Sequence, residues 1–237
     1  MESSPASGRR FTLGRLMLTI AGIAAGCAIL AWLGRSVYNA REAARDMMQA
    51  GRVSQIRLAL YNYEAKYGAF PPVYTTDANG RPLTSWRVLI LPYLEEDSLF
   101  QAYDQSQPWD SPENELLLSQ VPIGYENRSG SQDNPNGLTP YVAITGPGTL
   151  WEKPAEILSH SNSSRKDEAI FICNNRQMVP WTKPDDCSQK DFELLLRSLD
   201  KPDGSIWVMT PSAVERARPI HAQMSEQLSE PSSTSSP

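Results

Sequence analysis

From Leu16 to Leu33 the chain runs for 18 residues without a charged side chain, and only Thr19, Gly22 and Gly26 are not strongly apolar. Arg15 and Arg35 bracket the run. As a helix rising about 1.5 Å per residue it reaches roughly 27 Å, enough to cross a thin hydrocarbon core. Trp32 stands where an interfacial aromatic belongs. A soluble helix seldom stays uncharged on every face for this length. The run is therefore expected to be a single transmembrane helix ending at Leu16 and Leu33, with the lipid bilayer as its partner. Gly22 and Gly26 form a small-x-x-x-small pair of the kind that lets a second helix approach closely.

Two processed alternatives fit the segment less well than this anchor. A cleavable secretory signal has a shorter apolar region and a small-x-small site near its end, and neither is evident. Ala24-Ala25-Gly26-Cys27 resembles a lipoprotein cleavage box, but the apolar run continues to Leu33, where a mature lipoprotein would start polar. Charge does not set the orientation. Arg9, Arg10 and Arg15 precede the segment, Arg35, Arg41 and Arg45 follow it, and the interleaved Glu42 and Asp46 count for little.

Composition mainly removes options. The 237 residues carry 22 Lys and Arg against 27 Asp and Glu, a net charge of −5 that makes nucleic acid an unexpected partner. The 2 His and 3 Cys show no zinc-site spacing and no secreted disulfide scaffold, so no metal and no cofactor is expected. Pro (19) outnumbers Gly (14), which points to many loops.

Helical periodicity continues beyond the anchor. Ala40, Ala43, Ala44 and Met47 share a face, and Val53, Ile56, Leu60, Tyr63 and Tyr67 recur at three- and four-residue steps, with a phase slip near Gly51. Lys66, Gly68 and Pro71-Pro72 end the helix. Further on, residues 85–103 read as helix interrupted by Pro92, and Ser111-Pro112 as an N-cap opening a short helix through Leu118. Residues 126–137 read as an exposed loop, 141–145 and 169–173 as strands, and 188–199 as helix. Ile206 to Met209 reads as a strand entered by an Asp203-Gly204 turn. The expected organisation is an N-terminal segment 1–15, a transmembrane helix 16–34, its amphipathic continuation 35–68, a body 69–221, and a disordered Ser/Pro-rich tail 222–237.

No nucleophile elbow, zinc-protease helix, phosphate loop or dinucleotide fingerprint is present. Gly146-Pro147-Gly148-Thr149 follows a strand but lacks the Lys and helix start of a phosphate loop, so it reads as a turn. Glu95-Glu96-Asp97 and Asp185-Asp186 read as solvated helix-end and loop carboxylates rather than acid/base pairs. Asp133, Asn134 and Asn136 supply too few ordered oxygen donors for calcium. Trp86, Trp109, Trp151 and Trp181 read first as packing in a loop-rich body, and second as a pocket lining.

An ordered series of short segments resembles the bacterial prepilin-like domain of unknown function 1559 family. It includes Arg10-Phe11-Thr12-Leu13, the apolar run, Asn39 to Arg45, Leu58 to Tyr63, Tyr67 to Pro72 and Ser85 to Glu95. It continues through Pro108 to Pro112, Thr139 to Val142, Gly146 to Thr149, Pro180 to Asp186 and Asp203-Gly204-Ser205. Where the prepilin pattern has Gly before the Phe and Glu at the fifth mature position, this chain has Arg10 and Arg15. Residues 161–166 replace the family's Asp-Gly-rich turn, and the His-Gly-Gly segment before Asp-Gly-Ser is absent, which marks a divergent member.

The resemblance implies an α+β, pilin-like fold: a long N-terminal transmembrane and amphipathic helix packed on an antiparallel sheet, with loop-rich insertions. It implies an inside N-terminus, a body facing out of the cytoplasm, and no established activity. The expectation is a single-pass pseudopilin-like structural or assembly protein of the inner membrane, not an enzyme, whose partners are the bilayer and itself or other pseudopilin-like chains. The competing expectation is an anchored ligand-binding or enzymatic domain using Trp-lined loops. If the body faces outward, Cys173 and Cys187 lie where disulfides persist, and a bridge closing their loop would add about 3 kcal/mol in the chain-entropy model. Two free thiols remain the alternative, since sequence does not supply the Cβ approach.

Overall fold

A computed structural model describes residues 13–127, 134–147, 149–152, 170–174, 178–199, 206–210 and 214–216. The chain divides into two compact units, Met1–Arg45 and Asp46–Pro237. Helix α1 (Leu13–Tyr67) supplies the described part of the first unit and the opening of the second.

In the first unit, α1 is long and apolar enough to cross a membrane, and none of its most apolar 18-residue window is buried. Leu16, Ile20, Ile23, Ile29, Leu30, Trp32 and Leu33 are all exposed. The single hydroxyl of the run is neutralised locally, because Thr19 Oγ1 donates to the Leu16 carbonyl at 2.8 Å. That matters in lipid, where no water replaces a missing partner. A Cβ added to Gly22 or Gly26 would meet no described residue within 4 Å. Past the apolar run, Arg45 pairs with Glu42 at 2.8 Å on the helix surface.

In the second unit, α1 buries Val53, Ile56, Ala59 and Leu60 in the main core. The expected stripe is there, but it stops early: Tyr63 is only half-buried and Tyr67 lies exposed. Gly68 ends the helix at φ +78°, and its N–H donates to the Glu64 carbonyl at 2.7 Å, closing the last turn in a left-handed cap. A hairpin follows, β1 (Tyr74–Thr76) with β2 (Pro82–Ser85), turned by Asp77 and Gly80.

Residues 85–103 then form three short pieces rather than one interrupted helix. These are α2 (Trp86–Leu89), a 3-10 turn over Leu91–Tyr93 containing Pro92, and α3 (Asp97–Ala102). Ser111 caps α4 (Pro112–Glu115), its Oγ accepting from Asn114 N at 3.3 Å with Pro112 at the first helical position. Five short strands and a helix follow: β3 (Leu138–Thr139), β4 (Tyr141–Thr145), β5 (Phe171–Asn174), β6 (Val179–Pro180) and β7 (Cys187–Ser188), then α5 (Gln189–Arg197). The last strands are β8 (Ile206–Met209) and β9 (Val214–Arg216).

Five strands make the central sheet in the order β7-β4-β5-β8-β9, while β3 pairs with β6 separately. All neighbours in the central sheet are antiparallel except β4 and β7, so the sheet is mixed at that edge, not wholly antiparallel. Both faces are covered. Tyr141, Ala143, Phe171, Cys173, Trp207 and Met209 join the core under α1, whereas Val142, Ile144 and Ile172 pack toward Phe192 and Leu195 of α5. This is why residues 141–144 are all buried and read as an unbroken apolar run.

The sheet also corrects the expected Cys173–Cys187 bridge: neither cysteine is in a disulfide. Cys173 sits opposite Tyr141 on one side of β4 and Cys187 opposite Ile144 on the other, in clusters on opposite faces. Two strand spacings, about 9.5 Å, exceed what a disulfide spans. The N-terminal segment 1–12, Asp133, Gly148, the turn replacement 161–166, Asp203-Gly204, and the tail 222–237 lie outside the described residues.

Deleting Leu16 to Leu33 is expected to leave a soluble body with near-ultraviolet dichroism from its buried tryptophans, because the second unit carries the whole core. Within that body Ile56→Ala should cost about 2–5 kcal/mol in urea unfolding, whereas Leu58→Ala, on the exposed face two residues on, should change it by less than about 0.5 kcal/mol.

Candidate functional site

The chemistry-bearing side chains of the second unit converge on a buried ion pair. Ser85 sets it up: as the N-cap of α2, its side chain accepts from the Arg87 N–H at 3.4 Å and turns the chain so that Trp86 and Arg87 point inward. Arg87 is wholly buried, and its NH1 donates to Asp186 Oδ1 at 2.8 Å, with the Asp186 side chain 5% exposed. A buried charge is tolerated only when paired and fully hydrogen-bonded.

The guanidinium meets that condition. Its Nε donates to the Trp181 carbonyl at 3.1 Å, NH1 also to the Tyr141 carbonyl at 3.1 Å, and NH2 to the Lys183 and Asp185 carbonyls at 2.6 and 3.1 Å. All five N–H groups of the planar fork thus have acceptors. Asp186 Oδ1 in turn accepts from Trp86 Nε1 at 3.1 Å and from the Ala143 amide at 2.7 Å, which anchors residues 185–186 against β4. Its other oxygen, Oδ2, is buried and has no hydrogen-bond partner among the described residues.

Aromatic rings enclose the pair. Arg87 lies 5.3 Å from the Trp86 ring centroid, and Tyr125, stacked 6.5 Å from Trp181, donates from its hydroxyl to the Arg87 carbonyl at 2.7 Å. Burial raises the Tyr125 phenol well above its ordinary value, so it stays protonated and able to donate. Trp181 Nε1 donates to the Leu118 carbonyl at 3.1 Å and Trp151 Nε1 to the Pro71 carbonyl at 2.8 Å. Gly137 holds this side shut: at φ +61°, an added Cβ would lie 2.3 Å from the Leu118 carbonyl oxygen.

A second buried polar group sits on α1. Gln49, fully buried, donates from Nε2 to the Tyr141 hydroxyl and to Cys173 Sγ, the latter at 3.0 Å. One turn on, Arg52 pairs with Glu126 at 2.7 Å and donates to the Asn127 carbonyl at 2.9 Å. Burial raises Tyr141 well above its usual phenol value. These contacts fix the rotation of this part of α1 on the sheet, since a turn of one residue would bury an apolar neighbour against the Tyr141 hydroxyl.

The residues singled out in the sequence fall differently. Trp86, Trp151 and Trp181 are closed inside the core with their N–H groups used internally, so they do not line a ligand pocket; Trp109 is half-exposed under Lys183. Glu95 and Asp97 are exposed at the start of α3, as expected of a solvated helix end. Asp186, read as a solvated loop carboxylate, is instead the buried partner of Arg87. Gly146, at φ +127°, opens a turn in which its carbonyl accepts from the Thr149 N–H at 3.1 Å. Asn134 uses its amide on both backbone groups of Leu138, at 2.7 and 2.8 Å, which is loop bracing rather than calcium ligation. Among the described residues no group of three or more His, Cys, Asp or Glu is placed to hold a metal ion.

A long N-terminal helix with an exposed apolar first part, leading into a mixed-sheet α+β body locked by one buried ion pair, defines a class of membrane-anchored α+β proteins. Residues 38–169, more than half of the chain, match the family described as protein of unknown function (DUF1559), and the chain belongs to that family. The match contains Arg87, Tyr125 and Tyr141 and ends before Trp181 to Asp186, which complete the pair. No curated protein and no solved structure matches the chain.

Arg87→Met should destabilise the body by about 3–5 kcal/mol in urea unfolding, because it leaves the Asp186 carboxylate buried and unpaired. Arg87→Lys should recover only part of that loss, since an ammonium has three donors for five acceptor positions. Equal stability of R87M and the parent would refute the central place given to this pair.

Proposed function

We propose that this chain is a pseudopilin-like structural or assembly protein, anchored by its N-terminal helix in the inner membrane, with its body outside the cytoplasm and no catalysis of its own. One observation carries the reading: the apolar run of α1 is uncharged and wholly exposed, while the polar side chains at the heart of the body are spent on holding the body together. A surface of this kind has lipid as its natural solvent. The buried Arg87–Asp186 pair supports a scaffold role, because its donors are committed to backbone carbonyls rather than presented to a substrate. Membership of a family described as of unknown function is compatible with this reading and adds no activity to it.

Arg10 and Arg15 stand where prepilin processing would read Gly and Glu, so on this reading the N-terminus is retained and cytoplasmic. Assembly with a second copy or with related chains would run through helix packing at Gly22 and Gly26, which no described residue of the chain covers.

Extraction in detergent, followed by crosslinking and intact mass, tests these points together. The expected result is a protein that partitions with membranes, keeps its full mass, and crosslinks to itself in a way that Gly22→Leu/Gly26→Leu weakens. Protease added to spheroplasts, from which the outer envelope has been removed, should digest the body and spare the N-terminus. A mass short by the first ten residues would overturn retention, and a body protected from protease in spheroplasts would overturn the orientation.

A further inference from the structure

We propose that the turns of α1 just past its apolar run form a docking surface for anionic phospholipid, binding the phosphate of the headgroup. The inference rests on the membrane-anchored reading of α1 and adds which lipid gathers at this end of the anchor. The surface is a ridge at three-residue steps: Trp32, Arg35, Tyr38 and Arg41. Side chains three apart on a helix stand side by side, with Cβ atoms about 5–6 Å apart. Ring and cation therefore alternate along the ridge. All of these side chains are exposed, Trp32 by 68% and Tyr38 by 63%.

Depth and charge both select a lipid headgroup. Measured along the helix from Leu33, Arg35 lies about 3 Å out, Tyr38 about 7.5 Å and Arg41 about 12 Å. The headgroup layer extends about 5–7 Å beyond the hydrocarbon. Arg35 falls within it, and Arg41 has a stem long enough to fold back toward it, as basic side chains at the ends of membrane helices do. Trp32 and Tyr38 are the amphipathic rings that suit this boundary. No acidic residue stands three or four positions from Arg35 or Arg41, and neither has an ion-pair partner among the described residues. Glu42, the residue after Arg41, pairs instead with Arg45 at 2.8 Å. Arg45 stands four positions after Arg41, a like-charge spacing that destabilises a helix unless an anion is supplied. Lipid is the source with which the ridge is continuous, because the exposed apolar run ends at Leu33, two residues before Arg35. A guanidinium offers paired N–H donors to a phosphate, and a net negative lipid adds the attraction that a zwitterionic one lacks.

The test uses the full chain in phosphatidylcholine vesicles. Cys27→Ser and Cys187→Ser remove the exposed and half-buried thiols, Cys173 is fully buried, and Asn39→Cys, one turn from Arg35 and exposed, carries a bimane. Phosphatidylglycerol and phosphatidylcholine bearing the same nitroxide near the top of one acyl chain differ only in the headgroup. The phosphatidylglycerol probe should quench the bimane with at least about fivefold higher relative affinity. Arg35→Gln/Arg41→Gln, at exposed positions where Gln sustains a helix, should lower that ratio to about twofold or less. Salt at about 1 M, where the Debye length is about 3 Å, should also lower it. Arg10→Gln/Arg15→Gln, which alters the charges before the span, should leave it unchanged. Quenching by both probes with a ratio near one would overturn the proposal and leave the anchor standing. A ratio unchanged in Arg35→Gln/Arg41→Gln, or lost in Arg10→Gln/Arg15→Gln, would also overturn it. Quenching by neither probe would overturn the anchored reading together with the proposal.

Discussion

The body of this protein is organised around the desolvation of one guanidinium. An Arg taken fully out of water has to recover the hydrogen bonds it loses, and in a protein interior most spare acceptors are backbone carbonyls. Arg87 collects them from Tyr141 on β4 and from Trp181, Lys183 and Asp185 on the segment that leads into β7. The carbonyls of residues 181–185 serve as its ligands, so a segment with little regular structure of its own is held in one conformation. Asp186 then balances the charge and ties the same segment to the Ala143 amide. A pair of this kind rarely adds net stability compared with an apolar core of the same shape; what it adds is a single permitted arrangement.

Beside this polar centre the two parts of α1 obey different rules. In residues 16–33 the apolar side chains face outward and the one hydroxyl is satisfied within the helix, as lipid requires. From Gln49 to Leu60 the helix is amphipathic in the ordinary soluble sense, with buried Val53, Ile56 and Leu60 on one side and exposed Leu58 on the other. The buried Gln49 and Arg52 are polar exceptions on the inward face. Each has specific partners on the body, Tyr141 and Cys173 for one and Glu126 for the other, which hydrophobic periodicity alone cannot anticipate.

What was legible in the sequence was local. The uncharged run, the Gly68 stop, the Ser111 cap and the strands 141–145 and 206–209 each depend on neighbours in the chain, and residues a few positions apart state them. The hairpin of β1 and β2 is a middle case: Asn79-Gly80 is a recognised turn pair, but its flanking strands are three and four residues long and one begins with Pro82, so the alternation that normally confirms a hairpin is missing. The parallel β4–β7 edge and the fate of the two cysteines depend on strand order, which no short-range pattern encodes. The Arg87–Asp186 pair joins residues 99 positions apart, and Asp185-Asp186 has the same local appearance as any solvated acidic loop. The one hint was negative: an Arg inside the apolar segment Trp86 to Leu91 needed a partner that the neighbouring sequence did not provide.

The distance along the chain between Arg87 and its acceptors also bears on the order of events during synthesis. The nearest acceptor it uses is 54 residues ahead and the remaining ones are 94 to 99 residues ahead. Until those residues emerge, the guanidinium is better off hydrated, and the aromatic groups around it have no closed core to enter. Closure is then late and high in contact order, with loop entropy spent before the contacts that reward it. For a chain whose N-terminal helix is its anchor, this means that the anchor emerges well before the body can lock, and that the unfinished body waits with its tryptophans uncovered. Such a nascent form has a window of exposure to aggregation or to a holding chaperone, and its length is set by how quickly residues 141–186 follow.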